Sequence, residues 1–213
     1  MARKTSHPTS PLYVWWIASF VVAALLILAV KHYAFFPGDV AVERWVQSVA
    51  PQDLKWAERA SHTAEFPLAG IILAIVFVLS RRLAGWRGAF CSLVSFAGML
   101  VLGTWLGPMI GRPRPSADLV HVFRHYAGFG FPSLFALRYA ATFGFIAVLA
   151  ARKSSGPARA VIVILCAILL GLGWVARVAL GAHWPSDVTI SYYIGILWAA
   201  FVIRLGVYGF RLK

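Results

Sequence analysis

The chain has 213 residues, 61% of them hydrophobic and only 13% charged, with a formal net charge of +13 and a mean hydropathy of +0.78. Soluble domains are about 45–50% apolar and about 25% charged, so this composition excludes an ordinary soluble domain and points to a polytopic membrane protein. A nucleic-acid partner would want a continuous basic face, and the positive charge here follows membrane topology instead.

Crossing a hydrocarbon core takes about 20 apolar residues per helix. Six segments qualify: 13–30, 66–80, 88–110, 132–151, 158–179 and 188–203, of which the second is the shortest. The sequence therefore reads as an all-α bundle of six transmembrane helices in a single domain spanning 1–213. Residues 1–11 form a short polar tail. The first apolar stretch is long enough to span and has no clear small-residue cleavage site, which makes it a retained helix rather than a removed signal. Segment 31–65 sets Val40, Val42 and Trp45 to Val49 among charges, the pattern of an amphipathic helix lying in the interface or of a packed connector. Segment 111–131 opens Gly-Arg-Pro-Arg-Pro and closes Gly-Phe-Gly-Phe-Pro-Ser, so it reads as a loop anchored on two helix ends. Cys91 and Cys166 both fall in spans, where buried inert thiols are expected.

Charge placement tests this helix count. With residues 1–11 in the cytoplasm, Arg3, Lys4, Arg81, Arg82, Arg87, Arg152, Lys153, Arg159, Arg204, Arg211 and Lys213 all fall on the inner side. The seven carboxylates, Asp39, Glu43, Asp53, Glu58, Glu65, Asp118 and Asp187, all fall on the outer side. Adding or removing one helix would scramble that separation. The expected placement is thus the plasma (inner) membrane, with both termini cytoplasmic and inner loops drawn to anionic headgroups.

Residues 177–187 read Arg-Val-Ala-Leu-Gly-Ala-His-Trp-Pro-Ser-Asp. A neutral His183 can attack phosphorus or bind metal, Asp187 four residues on can orient its ring, and Arg177 can clamp phosphate oxygens in a bidentate way. Arg112 and Arg114, each followed by Pro, lie on the same side of the membrane and add guanidinium groups suited to a phosphate site, unless they are ordinary flanking charges. Pro132 and Ser133 can start a helix whose free N–H groups and hydroxyl face an anion. His121 and His125 sit four apart. Solvent-facing loop histidines are the preferred reading over a metal site built from them with His183 and Asp187, and no metal or cofactor is expected. His32 and His62 read as interfacial, and His7 lies in the tail.

The order Arg-Pro at Arg114, Phe-Pro-Ser at Phe131 to Ser133, then Arg-x5-His-x3-Asp at Arg177, His183 and Asp187 resembles the type 2 phosphatidic acid phosphatase superfamily of membrane lipid phosphatases. That family is written as Lys-x6-Arg-Pro, Pro-Ser-Gly-His and Ser-Arg-x5-His-x3-Asp in a six-helix core, with the site at the outer face. The resemblance implies that His183 is a nucleophile forming a phosphohistidine, that Asp187 orients it, and that Arg114, Arg177 and Ser133 hold the phosphoryl oxygens. It also marks departures. Gly107 stands at the first-motif Lys, Leu134 and Phe135 at the Gly-His of the second, and Ala176 at the Ser before Arg177. Phe135 replaces the residue expected to protonate the leaving group, and Arg112 is a candidate to replace part of the missing Lys charge.

General acid catalysis contributes about 10² to 10⁴-fold, so losing it slows a reaction without forbidding it. Expelling an alkoxide depends on that proton far more than expelling a phosphate, so a lipid diphosphate such as a polyprenyl diphosphate is the more tolerant substrate. Two readings follow. In one, the chain is a lipid phosphatase or phosphotransferase acting through His183; in the other, it is an inactive relative whose arginines bind phosphorylated lipid as a carrier, sensor or partner subunit. The partners in either case are a phosphorylated lipid and the bilayer, with no nucleic acid.

Overall fold

A computed structural model describes residues 11–209 apart from 124 and 154. The basic residues expected at the two ends, Arg3, Lys4, Arg211 and Lys213, and the tail's His7 lie outside the described residues. The elements in order are α1 (Pro11–His32), α2 (Asp39–Val49), α3 (Lys55–His62), α4 (Leu68–Ile110), α5 (Leu134–Tyr139), a π-helical turn (Ala140–Gly144), α6 (Phe145–Lys153), α7 (Gly156–Ala179) and α8 (Pro185–Gly206). The protein is a multi-pass, all-α membrane protein. Among the described residues five helical stretches are long and apolar enough to cross a bilayer: Tyr13–His32, Leu68–Ile110, Leu134–Lys153, Gly156–Ala179 and Pro185–Gly206.

The sequence reading expects six spans, and the difference lies in α4. Its 43 residues would measure about 65 Å if straight, roughly twice a hydrocarbon core. The helix is not straight. Ala84 (φ −141°, ψ 19°) and Gly85 (φ 65°, ψ −162°) leave helical geometry, and Gly85 adopts a left-handed φ that a side chain would resist. Beyond them the chain runs back alongside itself, so the rings of Phe77 and Phe90 come to 6.5 Å and those of Phe66 and Phe96 to 6.3 Å. The expected segments 66–80 and 88–110 therefore fall on either side of this break, as the two arms of α4.

Helices α5 and α6, joined through the π-helical turn, form the buried centre, with α4, α7 and α8 packed round them. Small residues let these backbones approach: a Cβ on Gly195 would stand 2.5 Å from Ala140 Cβ, and one on Gly144 would stand 2.9 Å from Ile196. Without a hydrophobic drive between helices in lipid, such close packing is what holds them. The outward faces carry large apolar side chains, Trp15, Ile17, Ile71, Trp105 and Ile164 among them, all more than half exposed. That is the surface expected of helices solvated by acyl chains.

Segment 31–65 folds into two short amphipathic helices rather than one. α2 turns Asp39, Glu43 and Val46 inward and leaves Val42, Trp45 and Val49 exposed. α3 turns Ala57 and Ser61 against α7, so it roofs the end of the bundle where the site lies.

Glu43 sits in this roof with no exposure, and neither carboxylate oxygen has a hydrogen-bond partner. Burial, with Asp39 and then Asp187 adding like charge, pushes its pKa from 4.5 up to about 9. Below the ordinary value both folded and unfolded chains carry the proton. As the pH rises above it, only the unfolded chain ionises freely, so folding loses stability up to the folded pKa. At pH 7 that loss is on the order of 3 kcal/mol. Glu43→Gln is therefore expected to melt higher than the parent near neutral pH and to lose the decline between about pH 5 and 9. Thermal melts across that range check it; parallel profiles for the two proteins would refute a buried neutral carboxyl.

Candidate active site

His183 lies in the tight turn between α7 and α8. Gly181 makes the turn possible: its φ is +63°, and a Cβ there would collide with the backbone oxygen of His121. The turn is pinned by Ala182 N–H donating to Arg177 O at 3.2 Å and by Phe123 N–H donating to Leu180 O at 3.1 Å.

The ring of His183 is buried and held at both nitrogens. Nδ1 lies 2.6 Å from the Gly130 carbonyl oxygen, and Nε2 lies 3.2 Å from Nη1 of Arg114. A guanidinium only donates, so Nε2 is the acceptor and Nδ1 carries the proton that it gives to Gly130. Burial, then Arg177 and Arg114, hold the imidazole pKa well below its usual value. The result is a neutral ring with its Nε2 lone pair turned toward cationic side chains. Gly130 cannot be replaced without movement, because a Cβ there would stand 2.6 Å from Pro113 O.

Arg114 also donates to Ala182 O at 2.5 Å and to Ala127 O at 3.0 Å, which ties segment 111–131 to the His183 turn. Arg177, on the last turn of α7, donates to Ser61 Oγ at 3.0 Å. Both guanidinium groups stand over the ring of Tyr126, at 5.7 Å and 5.1 Å, and Arg177 also over Phe135 at 5.5 Å. These groups border a cavity of about 400 Å³ whose walls include Arg114, Arg177, His183, Tyr126, Phe135, Gly107 and Leu134. The size suits a small ligand or headgroup.

Three sequence expectations are corrected here. Asp187 does not hold the His183 ring; the backbone of Gly130 does. Asp187 instead sits at N3 of α8, where its carboxylate accepts from the N-cap Trp184 N–H at 3.0 Å, and pairs with Arg112. Arg112 does not border the cavity. It is almost fully buried, and its donors go to Asp187, Asp39, Ser186 Oγ and Tyr33 O, so no N–H is directed at the cavity. Ser133 is also turned away: fully buried, it caps α5 by accepting from Ala136 N–H, while Pro132 and Leu134 face the cavity. His121 and His125 are exposed and lie outside the cavity wall, as solvent-facing loop histidines do, and among the described residues no cluster of three His, Cys, Asp or Glu side chains is placed to hold a metal.

Of the degenerate positions, Gly107, Leu134 and Phe135 all border the cavity, whereas Ala176 is packed with Ala57 and Leu180. The sequence reading missed Arg138, Glu65, Ser61 and Tyr126, which also line it. Arg138 had a usable signal, an isolated charge inside span 132–151, since ionisable residues within membrane segments are functional candidates by default.

A family model described as the PAP2 superfamily matches residues 88–211, more than half of the chain. The chain belongs to the PAP2 superfamily. Its fold is similar to the crystal structure of the first transmembrane PAP2 type phosphatidylglycerolphosphate phosphatase from Bacillus subtilis, with a TM-score of 0.73 at 20% identity over 93% of this chain and 98% of that one. Comparison with curated proteins finds no match. The matched residues of this PAP2 chain begin in the second arm of α4 and include Arg114, Phe135, Arg177 and His183, so they take in both site-forming loops.

Proposed function

We propose that this PAP2 protein removes or transfers a phosphoryl group from a lipid diphosphate such as a polyprenyl diphosphate, through a phosphohistidine at His183. One observation carries the reading: a neutral imidazole whose Nε2 lone pair meets Arg114 beside Arg177 at a headgroup-sized cavity. Nε2 attacks the terminal phosphorus, the bond from phosphorus to the bridging oxygen breaks, and the lipid leaves as its monophosphate. Arg114 exchanges its contact with Nε2 for a phosphoryl oxygen, and Arg177 takes another. The imidazolium formed keeps its Nδ1 proton on Gly130 O. Water then attacks the phosphohistidine and releases phosphate. Phe135 leaves the alkoxide of a monophosphate lipid without an acid, which is why the better leaving group is the favoured one.

The cavity wall supports a lipid. Thr104, Pro108 and Leu134 line it and are also exposed on the flank of the bundle, beside the outward Trp105 and Met109. A chain attached to a bound headgroup passes between them into acyl surroundings. Counting the two arms of α4 as separate crossings gives six, which puts both termini in the cytoplasm and the site at the outer face of the plasma membrane, with 31–65 as an outer interfacial segment.

Phosphate release by purified protein across a panel of lipid mono- and diphosphates tests the reading, with diphosphates hydrolysed faster and His183→Ala inactive. Release that is unchanged in His183→Ala would overturn it. Phosphate binding without turnover would favour the second reading, a headgroup-binding relative, for which Phe135 at the acid's position is the supporting observation. A further expected result concerns the ring itself. Nitrogen NMR of labelled histidine is expected to find His183 neutral and protonated on Nδ1 at about pH 6, whereas free imidazole titrates near 6.5. An ordinary titration midpoint would remove the burial argument.

A further inference from the structure

We infer that Arg138 forms a second anion subsite in this cavity, one that takes the inner phosphoryl group of a diphosphate while the terminal group lies at His183. Arg138 stands three residues beyond Phe135 on α5, so both side chains share the helix face turned to the cavity. Its donors are mostly unspent. Nη1 donates to Ala64 O at 2.6 Å, Nε is buried with no partner, and Nη2 has no hydrogen bond to any described residue. The acidic residue of the cavity wall, Glu65, pairs with His62 at 2.9 Å; its charge acts on Arg138 through space, but the two make no ion pair.

A guanidinium set into a membrane bundle with no carboxylate in contact is costly, and an anionic ligand would supply a contacting counter-charge. Arg114 and Arg177 share the Tyr126 ring and form one group at the nucleophile. Arg138 stands over the Phe66 ring, at 6.0 Å, with no such link to them. Two separate cationic groups in one cavity match an anion with two phosphoryl centres better than a single phosphate. Nothing in the family's written motifs places an Arg at this position. The inference rests on the proposed phosphate site at His183 and deepens it by naming the substrate class from a residue independent of the missing acid.

The test is calorimetric binding of inorganic phosphate and inorganic pyrophosphate to the full chain in detergent. The parent is expected to bind pyrophosphate roughly tenfold or more tightly than phosphate, the scale of a charge-assisted hydrogen bond. Arg138→Gln is expected to bring that ratio within about threefold, whereas Arg114→Ala weakens both anions. Should Arg138→Gln lack a melting transition, Arg138→Lys is read instead. There a point charge replaces the two-pronged group and the ratio falls several-fold. A ratio unchanged in the folded variant, or a parent that binds both anions equally, would overturn the subsite. Displacement of pyrophosphate by a polyprenyl diphosphate identifies the lipid form as ligand; failure of that displacement leaves the free anion. The two proposals fail separately: a parent that prefers pyrophosphate through Arg138 but hydrolyses no lipid loses the catalytic reading and keeps the subsite, and a parent that hydrolyses lipid with no such preference does the reverse.

Discussion

Phe135→His combined with Leu134→Gly is expected to raise hydrolysis of lipid monophosphates by a factor on the order of 10² or more, the usual contribution of a positioned acid. Phe135 borders the cavity with its ring 5.5 Å from the Arg177 guanidinium and 4.1 Å from the Tyr139 ring. An imidazole there would occupy volume already shaped for a planar group. Leu134 crowds Gly103 on the neighbouring arm of α4, and removing its side chain opens the wall on the lipid side. Gly107→Lys is expected to add to the gain, since a Cβ at 107 finds its nearest neighbour, Phe129, at an ordinary 3.4 Å. The gain should vanish with His183→Ala. If the restored variant stays inactive while the parent binds phosphorylated lipid through Arg114 and Arg177, the chain is a binding protein. His121→Ala and His125→Ala are expected to leave activity alone, because neither ring reaches the cavity; loss of a strong parental activity in either would show that a loop histidine acts as the acid.

Asp187→Ala is expected to cost about 3–5 kcal/mol of stability, the penalty for leaving a buried guanidinium without its partner. Arg112 loses its closest carboxylate, and the Trp184 N–H at the start of α8 loses its acceptor, in the same change. Arg112→Ala should cost a similar amount, and the double variant much less than the sum, because the two residues act as a unit. Unfolding curves in detergent for the four proteins check this. A variant Asp187→Ala of parental stability that has lost phosphate release would return Asp187 to the histidine, as the family pattern implies.

These two expectations separate what was legible in the sequence from what was not. Apolar run lengths and the alternation of basic and acidic loops are local properties, and they carried the all-α membrane class and the outline of the bundle. The convergence of Arg114, Arg177 and His183 was legible too, since each flanks a helix end at the same face. The partners of Asp187 and Arg112 were not. Spacing four residues apart allows a carboxylate to reach an imidazole, but the capping position on α8 and a buried guanidinium from a different loop compete for the same oxygens, and only the packed fold decides. Ser133 was read correctly as a helix start, and its hydroxyl is used up by that role. The reversal between 80 and 88 was legible from Arg81, Arg82 and Arg87; what was not is that it takes only Ala84 and Gly85, with helix continuing up to the break on both sides.

The acceptor that fixes the His183 tautomer is a main-chain oxygen, and that changes how the site can be damaged. A carboxylate partner can be deleted by one codon, protonated by acid or captured by a competing cation. The Gly130 carbonyl admits none of these, for it has no side chain to substitute and no proton to gain in water. Its position depends on the path of the chain from Arg112, whose own carbonyl accepts from Gly130 N–H at 2.7 Å, through to the buried Phe131. Sensitivity thus passes from the identity of one residue to the length of a segment. Inserting or deleting a single residue between 115 and 128 should shift the carbonyl off Nδ1 and unseat the ring, while most substitutions in the same stretch leave it in place.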